Sequence, residues 1–378
     1  MLGLQELYKW YIFDKLYQHS LNQILKIKNY IMKKYLFLLL LNGFGLFVNA
    51  QSDRQLPYMT RSLAGESVKQ VMIATTGGNI SILSEGNLSE TKIEVFVQAN
   101  NGRNISLSNE EIKNRIADEY DFDISVKNNK LIATATPKQK KMDWKNSLSI
   151  SFRAYVPANV SSDLTTSGGN INLTGISGDE KFTTSGGNLV LENMSGSIRG
   201  RTSGGNIKLN KLKDEIDLST SGGNIYAEDC SGNMTLSTSG GSLNLNALSG
   251  HIHATTSGGN VHGSNIGGDL FANTSGGNID FKDLSCSLET STSGGNINIS
   301  VKQYGKFIKI SNSGGNIDLL IPKNTGLDLA LNASKIKTSG IENFSGKKED
   351  DEIKGTVNGG GVPVSVSSGS GTIYLSLK

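Results

Sequence analysis

Two histidines and an aspartate are the best candidates for chemistry in this sequence. His251 and His253 are two positions apart in an alternating stretch, so an extended strand would place both side chains on one face. Asp269 follows His251 at the interval of an internal repeat described below. Imidazole and carboxylate groups on one face could hold a transition metal ion loosely. A His-x-His pair on a strand is more often solvated surface, however, and we therefore predict no metal site.

Two series of residues, each spaced by the same interval, contain titratable side chains at outward-facing positions of the predicted strands. They are Asp179, Ser197, Glu215, Asn233, His251, Asp269 and Ser287, and Lys181, Arg199, Asp217, Thr235, His253, Phe271 and Glu289. The charges are scattered along both series, whereas an active site needs its acids and bases in one cluster. No nucleotide-binding loop or Cys/His metal spacing appears either. We predict no catalytic residues and no cofactor, with a polysaccharide-acting enzyme as a remote alternative.

An 18-residue repeat must position these side chains. Ser-Gly-Gly begins at nine places, the first eight at a constant 18-residue spacing and the ninth after a slightly longer interval: Ser167, Ser185, Ser203, Ser221, Ser239, Ser257, Ser275, Ser293 and Ser313. Counted from each Ser, apolar residues fall at positions 5, 7, 10, 14 and 16, as in the copy that begins at Ser203. Positions 5 and 7, and 14 and 16, have the period of a β-strand, so each copy is predicted to hold two short strands.

The repeat also predicts the fold class. Glycine and asparagine adopt positive φ at little cost, so we assign one corner to Ser-Gly-Gly-Asn and another to the Ser-Gly or Gly-Gly near positions 11 and 12. Stacked copies would bury one continuous apolar core. We therefore predict an all-β protein, a β-helix-like β-solenoid with 18-residue coils and irregular, β-rich caps at both ends.

Asparagine occupies position 4 in eight of the nine copies, and Ser242 is the exception. The asparagines are Asn170, Asn188, Asn206, Asn224, Asn260, Asn278, Asn296 and Asn316. One hypothesis is a row of ligand-binding amides. The hypothesis that we prefer is a structural ladder, in which the amides form hydrogen bonds from copy to copy and satisfy the backbone of the corner.

The N-terminus has the pattern of an export signal. Lys33 and Lys34 precede an apolar run, and Val48-Asn49-Ala50 offers small or compact residues for cleavage. We predict a signal peptide over residues 32–50, an over-extended N-terminus over residues 1–31, and no transmembrane anchor in the mature chain. The apolar run is shorter than the roughly 20 residues of a membrane-spanning helix.

The charge of the chain depends on this cleavage. Residues 1–50 hold six of the 37 Lys and Arg and two of the 34 Asp and Glu, so 31 and 32 remain and the net charge becomes −1. A nearly neutral chain lacks the basic surface that nucleic acid requires. We predict no nucleic-acid partner.

The other segments are assigned around the repeat. The boundaries are 51–66 for a linker, 67–160 for a β-rich N-terminal cap region, 161–320 for the 18-residue-repeat solenoid and 321–378 for C-terminal coils and cap. Ser108-Asn-Glu-Glu111 is a capping box and predicts a short helix to about Glu119. Thr76-Gly-Gly-Asn-Ile80 looks like an isolated copy of the repeat corner.

These motifs resemble a known family. The Ser-Gly-Gly-Asn-Ile corners, the Val156-Pro157 step and the closing Ser368-Gly-Ser-Gly-Thr-Ile-Tyr-Leu are similar to the bacterial DUF4097 β-strand-repeat proteins, which are close in style to the adhesin-like head GIN domain group. The resemblance covers most of residues 67–378. It implies an exported, adhesin-like protein of a Bacteroidota-like bacterium, and it brings no catalytic residues.

Two functional hypotheses remain. In the first, which we favour, the polar outer face binds a glycan or an envelope protein in the periplasm, at the cell surface or outside the cell. In the second, the solenoid associates with itself as a structural scaffold of the envelope. Binding by a constant monomer would support the first, and assembly that depends on concentration would support the second.

Overall fold

The computed structural model describes residues 56–84, 90–100, 107–139 and 147–378, and Pro57–Lys378 forms one compact unit. The predicted signal peptide and the residues before it lie outside the described residues. No helix of the described segments is long and apolar enough to cross a membrane.

The described elements are almost all strands. In chain order they are β1 (Met59–Ser62), β2 (Gln70–Thr75), β3 (Ile80–Leu83), β4 (Lys92–Ala99), α1 (Asn109–Glu119), β5 (Tyr120–Lys127), β6 (Lys130–Pro137), β7 (Leu148–Tyr155), β8 (Ser161–Thr165), β9 (Ile171–Thr174), β10 (Ser177–Thr183), β11 (Leu189–Glu192), β12 (Ser195–Thr202), β13 (Ile207–Asn210), β14 (Lys213–Thr220), β15 (Ile225–Glu228), β16 (Ser231–Thr238), β17 (Leu243–Asn246), β18 (Ser249–Thr256), β19 (Val261–Ser264), β20 (Gly267–Asn273), β21 (Ile279–Thr292), β22 (Ile297–Val301), β23 (Ile308–Asn312), β24 (Ile317–Ile321), β25 (Leu327–Asn332), β26 (Lys335–Ser339), β27 (Phe344–Lys348), β28 (Glu352–Val357), β29 (Val362–Ser368) and β30 (Thr372–Leu377).

The repeat winds through two parallel sheets, and each copy adds one strand to each. Sheet A contains β9, β11, β13, β15, β17, β19, the first part of β21, β22 and β24. Sheet B contains β8, β10, β12, β14, β16, β18, β20, the second part of β21 and β23. The predicted β-solenoid is confirmed.

The register keeps each repeat position directly over its counterpart. Ile207 pairs with Ile225 in sheet A, and Ile198 pairs with Ile216 in sheet B, so each partner is the equivalent residue of the next copy. Positions 5, 7, 10, 14 and 16 face inward, and in the copy that begins at Ser203 all five side chains are buried. The apolar pattern in the sequence therefore predicted the core correctly, because parallel in-register stacking leaves one inward face per strand.

The glycines of the Ser-Gly-Gly-Asn corner have a different role from the one expected. None of them from Gly168 to Gly315 has a positive φ. A Cβ atom on Gly205 would instead lie 1.9 Å from the carbonyl oxygen of Gly187 in the preceding coil. The second glycine is required because two backbones approach closely, and our assignment of positive φ to this corner was wrong.

Positive φ is concentrated at the opposite corner, at positions 9 and 12 in most coils. Position 12 is a glycine in most copies, such as Gly232 with φ of 114°. Position 9 also lies in the left-handed region but carries ordinary residues, as in Asp229 with φ of 53° and Ala247 with φ of 52°. The sequence pattern revealed only position 12, because position 9 has no fixed residue type.

The first coil is separated from the repeat by a long insertion. β2 and β3 stack directly on β8 and β9, although the whole stretch 84–160 intervenes in the chain. Thr76-Gly-Gly-Asn79 forms the corner that connects β2 to β3. The insertion returns β6 and β7 to the other side of this coil, and the antiparallel strands β5, β4 and β1 finish the two sheets. The predicted helix is confirmed as α1, with both hydrogen bonds of the capping box at Ser108.

The C-terminal end is built in the same way. β29 and β30 form a coil that stacks on β23 and β24, and the preceding strands β25 and β26 pair with its far side. The antiparallel strands β28 and β27 extend sheet B beyond β25. A further coil would have to pair in parallel with the last strand of each sheet. The antiparallel strands at the ends present a different edge, which does not continue the repeat.

Candidate binding groove

The asparagine row is engaged in the solenoid itself. The Asn188 side-chain Oδ1 accepts a hydrogen bond of 2.8 Å from the backbone N–H of Asn206, and Asn206 does the same for Asn224. Ser242 takes over with its hydroxyl, which accepts from the backbone N–H of Asn260 at 3.2 Å. Each side chain at position 4 therefore caps the backbone of the next coil.

Threonine at position 18 forms a second, buried row. The Thr220 Oγ1 hydroxyl donates to the carbonyl oxygen of Gly205 at 2.8 Å and accepts from the N–H of Gly223 at 3.2 Å. The same two bonds recur at Thr184, Thr202, Thr238, Thr256, Thr274 and Thr292. Most polar side chains of this corner thus form hydrogen bonds to neighbouring coils or to their own corner, and few are left for a ligand.

The outer face of sheet B contains a groove of about 480 Å³, which we call the sheet B groove. Side chains at positions 13 and 15 of six consecutive copies line it, from Ser197 and Arg199 to Ser287 and Glu289. Its volume lies in the range of small-ligand sites. Both outward series that the sequence singled out therefore meet in one concavity.

The side chains at position 13 form two groups of polar contacts along the groove. The Asn233 Nδ2 donates to Glu215 Oε1 at 2.6 Å. His251 Nδ1 lies 2.9 Å from Asp269 Oδ2. A hydrogen bond from the Ser287 hydroxyl, with support from Lys306 and His251, lowers the pKa of the Asp269 carboxyl. Asp269 is therefore held as a carboxylate between two partners.

Position 15 combines aromatic and charged side chains. The rings of His253 and Phe271 stack with centroids 4.4 Å apart and planes 6° from parallel. Arg199 pairs with Asp179 at 3.0 Å, and Lys309 pairs with Glu289 at 2.9 Å. Asp217, in contrast, has no hydrogen-bond or ion-pair partner within the described residues.

The structure does not bring the three metal candidates together. His251 contacts Asp269, whereas His253 turns its ring onto Phe271. Among the described residues there is no group of three or more His, Cys, Asp or Glu side chains that could hold a metal ion. The three residues are instead separate parts of the wall of the groove.

One end of the groove is closed by a segment that sequence reasoning missed. The copy that begins at Ser293 is two residues longer than the others, and Phe307 from this stretch lines the groove. The neighbouring Gly305 packs against the backbone of Ser287, and a Cβ atom there would lie 2.1 Å from Ser287 N. The longer last interval of the repeat was the signal for this closure.

The outer face of sheet A has a wider depression of about 690 Å³. Its exposed apolar side chains are Val190 and Tyr226, and the Tyr226 hydroxyl accepts from Asn224 Nδ2 at 3.2 Å. The face has no stacked aromatic pair among the described residues. We therefore regard the smaller sheet B groove as the more developed site.

A carboxylic acid lies inside the solenoid. Glu180 takes position 14 of the first copy, where later copies have Ile198, Ile216 and Met234, and it is completely buried. The Ser162 hydroxyl donates to its Oε2, while its Oε1 has no partner in the described part of the chain. Burial raises the pKa of Glu180 to about 7. The repeat numbering places position 14 in the core, so a glutamate at this position is an exception to the apolar pattern.

One family model matches part of the chain. Residues 270–376 match the family described as Toastrack DUF4097, which confirms the resemblance to DUF4097. No protein of curated function matches the chain significantly.

Three solved structures are similar at low identity. A candidate cell adhesion protein from Clostridium sporogenes shares 11% identity over 85% of this chain and 98% of its own, with a TM-score of 0.17. A candidate adhesin from Bacteroides fragilis shares 13% identity over 84% and 96%, with a TM-score of 0.22. A candidate lipid-binding protein from Parabacteroides distasonis shares 17% identity over 85% and 97%, with a TM-score of 0.26.

Proposed function

We propose that this protein is an exported, adhesin-like binding module of the cell envelope or surface, and that the sheet B groove is its binding site. The ligand is a glycan or an envelope protein. The residues that carry the export pattern, 32–50, support delivery out of the cytoplasm.

One observation carries the proposal. The sheet B groove presents a stacked aromatic pair, His253 and Phe271, and, two strands from His253, the Asp217 carboxylate, which has no partner among the described residues. Solvent-facing aromatic rings and unsatisfied polar groups have little value for stability, but both gain contacts when a ligand covers them. The corner rows, by comparison, have their side chains committed to neighbouring coils.

The geometry supports binding more than catalysis. His251 and Ser287 lie on the two strands that flank Asp269, so the hydroxyl is two strands away from the imidazole that would have to take its proton. Glu215 and Asp217 lie exposed on a groove that is open to water, whereas glycoside hydrolysis needs one carboxyl group that its surroundings keep protonated.

The experiment compares two faces of one solenoid. Labelled wild-type protein is incubated with whole cells and with extracted envelope polysaccharide, beside a groove variant (His253→Ser with Phe271→Ser) and a sheet A variant (Val190→Ser with Tyr226→Ser). We expect the groove variant alone to lose binding, with a constant monomer mass in light scattering. A mass that rises with concentration in the absence of ligand, together with no binding, would instead show a self-associating scaffold.

A further inference from the structure

The inference concerns a slot within the sheet B groove and rests on the proposed function. Asp217, Thr235 and His253 are consecutive partners at position 15 of three neighbouring coils. Strands of one sheet are about 4.8 Å apart, so the strands of Asp217 and His253 are separated by roughly 10 Å. All three side chains line the same cavity.

The two stacked rings of Phe271 and His253 form a short aromatic ladder, which ends at this slot. Phe271 covers one face of the His253 ring, and the next position on the other side is the short, exposed Thr235. A further ring would fit here, because stacked rings need a separation close to the strand spacing. The His253 imidazole thus forms a flat wall whose open face looks toward Asp217.

The remaining walls consist mainly of hydrogen-bond acceptors. Asp217 has no partner within the described residues, and the Asn233 amide uses its Nδ2 on Glu215 and keeps its Oδ1. Because the Asp269 carboxylate can only accept, the proton between it and His251 is carried by Nδ1, which leaves Nε2 as an acceptor in the neutral ring. Such a wall is suited to a ligand that supplies donors.

The charge of the groove excludes one class of ligand. Four carboxylates line it, Glu215, Asp217, Asp269 and Glu289; Arg199 is the one guanidinium in this lining, and Lys309 pairs with Glu289. Arg199 is already paired with Asp179. An anionic ligand would meet like charges, and this repulsion selects against it.

We infer that the slot between Asp217 and His253 binds a pyranose ring of a neutral glycan. The C–H face of the sugar stacks on the His253 ring, and its hydroxyl groups donate to Asp217, Asn233 Oδ1 and His251 Nε2. Uronic and sialic acids are rejected by the carboxylates. The sugar ring occupies the place in the ladder where Thr235 supplies no ring.

The test uses a panel of immobilised saccharides with purified protein. Neutral members are cellotriose, maltotriose and chitotriose, acidic members are sialyllactose and trigalacturonate, and an Arg-rich peptide serves as a donor-rich ligand of another class. The variants are His253→Ala, which removes the ring on which the sugar would stack, and Thr235→Phe, which fills the slot with a phenylalanine side chain. The matched control is Tyr226→Ala, an exposed aromatic residue on the opposite face of the same coil.

We expect retention of at least one neutral saccharide, a loss of at least tenfold in His253→Ala and Thr235→Phe, and no change in Tyr226→Ala. Thr235→Phe extends the aromatic ladder, so its melting temperature should equal or exceed that of the wild type, which separates blocking from unfolding. If Thr235→Phe still retains the saccharide, the saccharide does not bind in the slot, and the inference is wrong. A preference for acidic saccharides or for the peptide overturns the ligand class.

The failure of this inference differs from the failure of the proposed function. Wild-type protein that binds cells through the groove but retains no saccharide overturns the inference alone. Protein that binds neither cells nor any member of the panel overturns both.

Discussion

Phe182 fills the space that a side chain at Gly200 would need. The two residues are partners at position 16 of adjacent coils, and a Cβ atom on Gly200 would lie 1.9 Å from Phe182 Cε2. Phe182 is buried, and the next residue in this row is the buried Leu218. A large and a small side chain in neighbouring coils therefore share the volume of two medium ones.

This pairing predicts a compensating double variant. Gly200→Ala should destabilise the protein by about 1–3 kcal/mol, because the added methyl group enters the space of a packed ring. Phe182→Leu alone should also destabilise it, because it leaves a cavity. Combined, the two changes should cost clearly less than their sum, as measured by denaturant unfolding in a double-mutant cycle. Purely additive losses would contradict the shared volume.

The threonine row predicts a loss from a change of nearly equal shape. Thr220→Val removes the hydroxyl that serves both Gly205 O and Gly223 N–H, and it leaves these two groups buried without this partner. We expect a loss of about 2–3 kcal/mol in the free energy of unfolding. Thr220→Ser, which keeps the hydroxyl, is the control and should lose less. A smaller loss in Thr220→Val than in Thr220→Ser would instead show that the methyl group contributes more than the two hydrogen bonds.

A charge in the core tests the register of the central coils. Leu245 is 2% exposed at position 7, so Leu245→Asp would bury an unpaired carboxylate and should unfold the coils around it. Asn246→Asp places the same charge on the exposed neighbour and should leave the thermal transition nearly unchanged. The measurement is circular dichroism during heating, with hydrogen exchange to locate the opened coils. An unaltered transition for Leu245→Asp would contradict the register.

The sequence predicted the core better than the site, for physical reasons. Inward positions recur once in every copy of the repeat, so their register follows from the period alone. The contact of His253 with Phe271 depends on side-chain rotamers, which spacing does not determine. The role of Gly205 depends on the backbone of another coil. The strand pairing at the two ends could not be predicted from the sequence either, because β3 and β30 stack on strands that are not their neighbours in the chain.

Glu180 predicts a stability that falls as the pH rises. Its pKa is raised from 4.5 to about 7 in the folded protein by burial, with Ser162 as its only partner at one oxygen among the described residues. The folded state therefore holds a proton that the unfolded state releases between pH 4.5 and 7. Over this window the free energy of unfolding should decrease by about 3 kcal/mol, at about 1.4 kcal/mol per pH unit, with little further change above pH 7.

Two variants isolate this contribution. Glu180→Gln keeps the shape of the side chain but removes the titratable group. Glu180→Ile introduces the apolar residue that the next copy has at this position, Ile198. Below pH 4.5 the difference in unfolding free energy between wild type and Glu180→Gln should be constant, and by pH 8 it should have shifted by about 3 kcal/mol in favour of the variant. Denaturant unfolding at pH 4, 5.5, 7 and 8.5 measures this shift. Parallel profiles for wild type and Glu180→Gln would mean that the carboxyl group reaches solvent or a partner when it ionises.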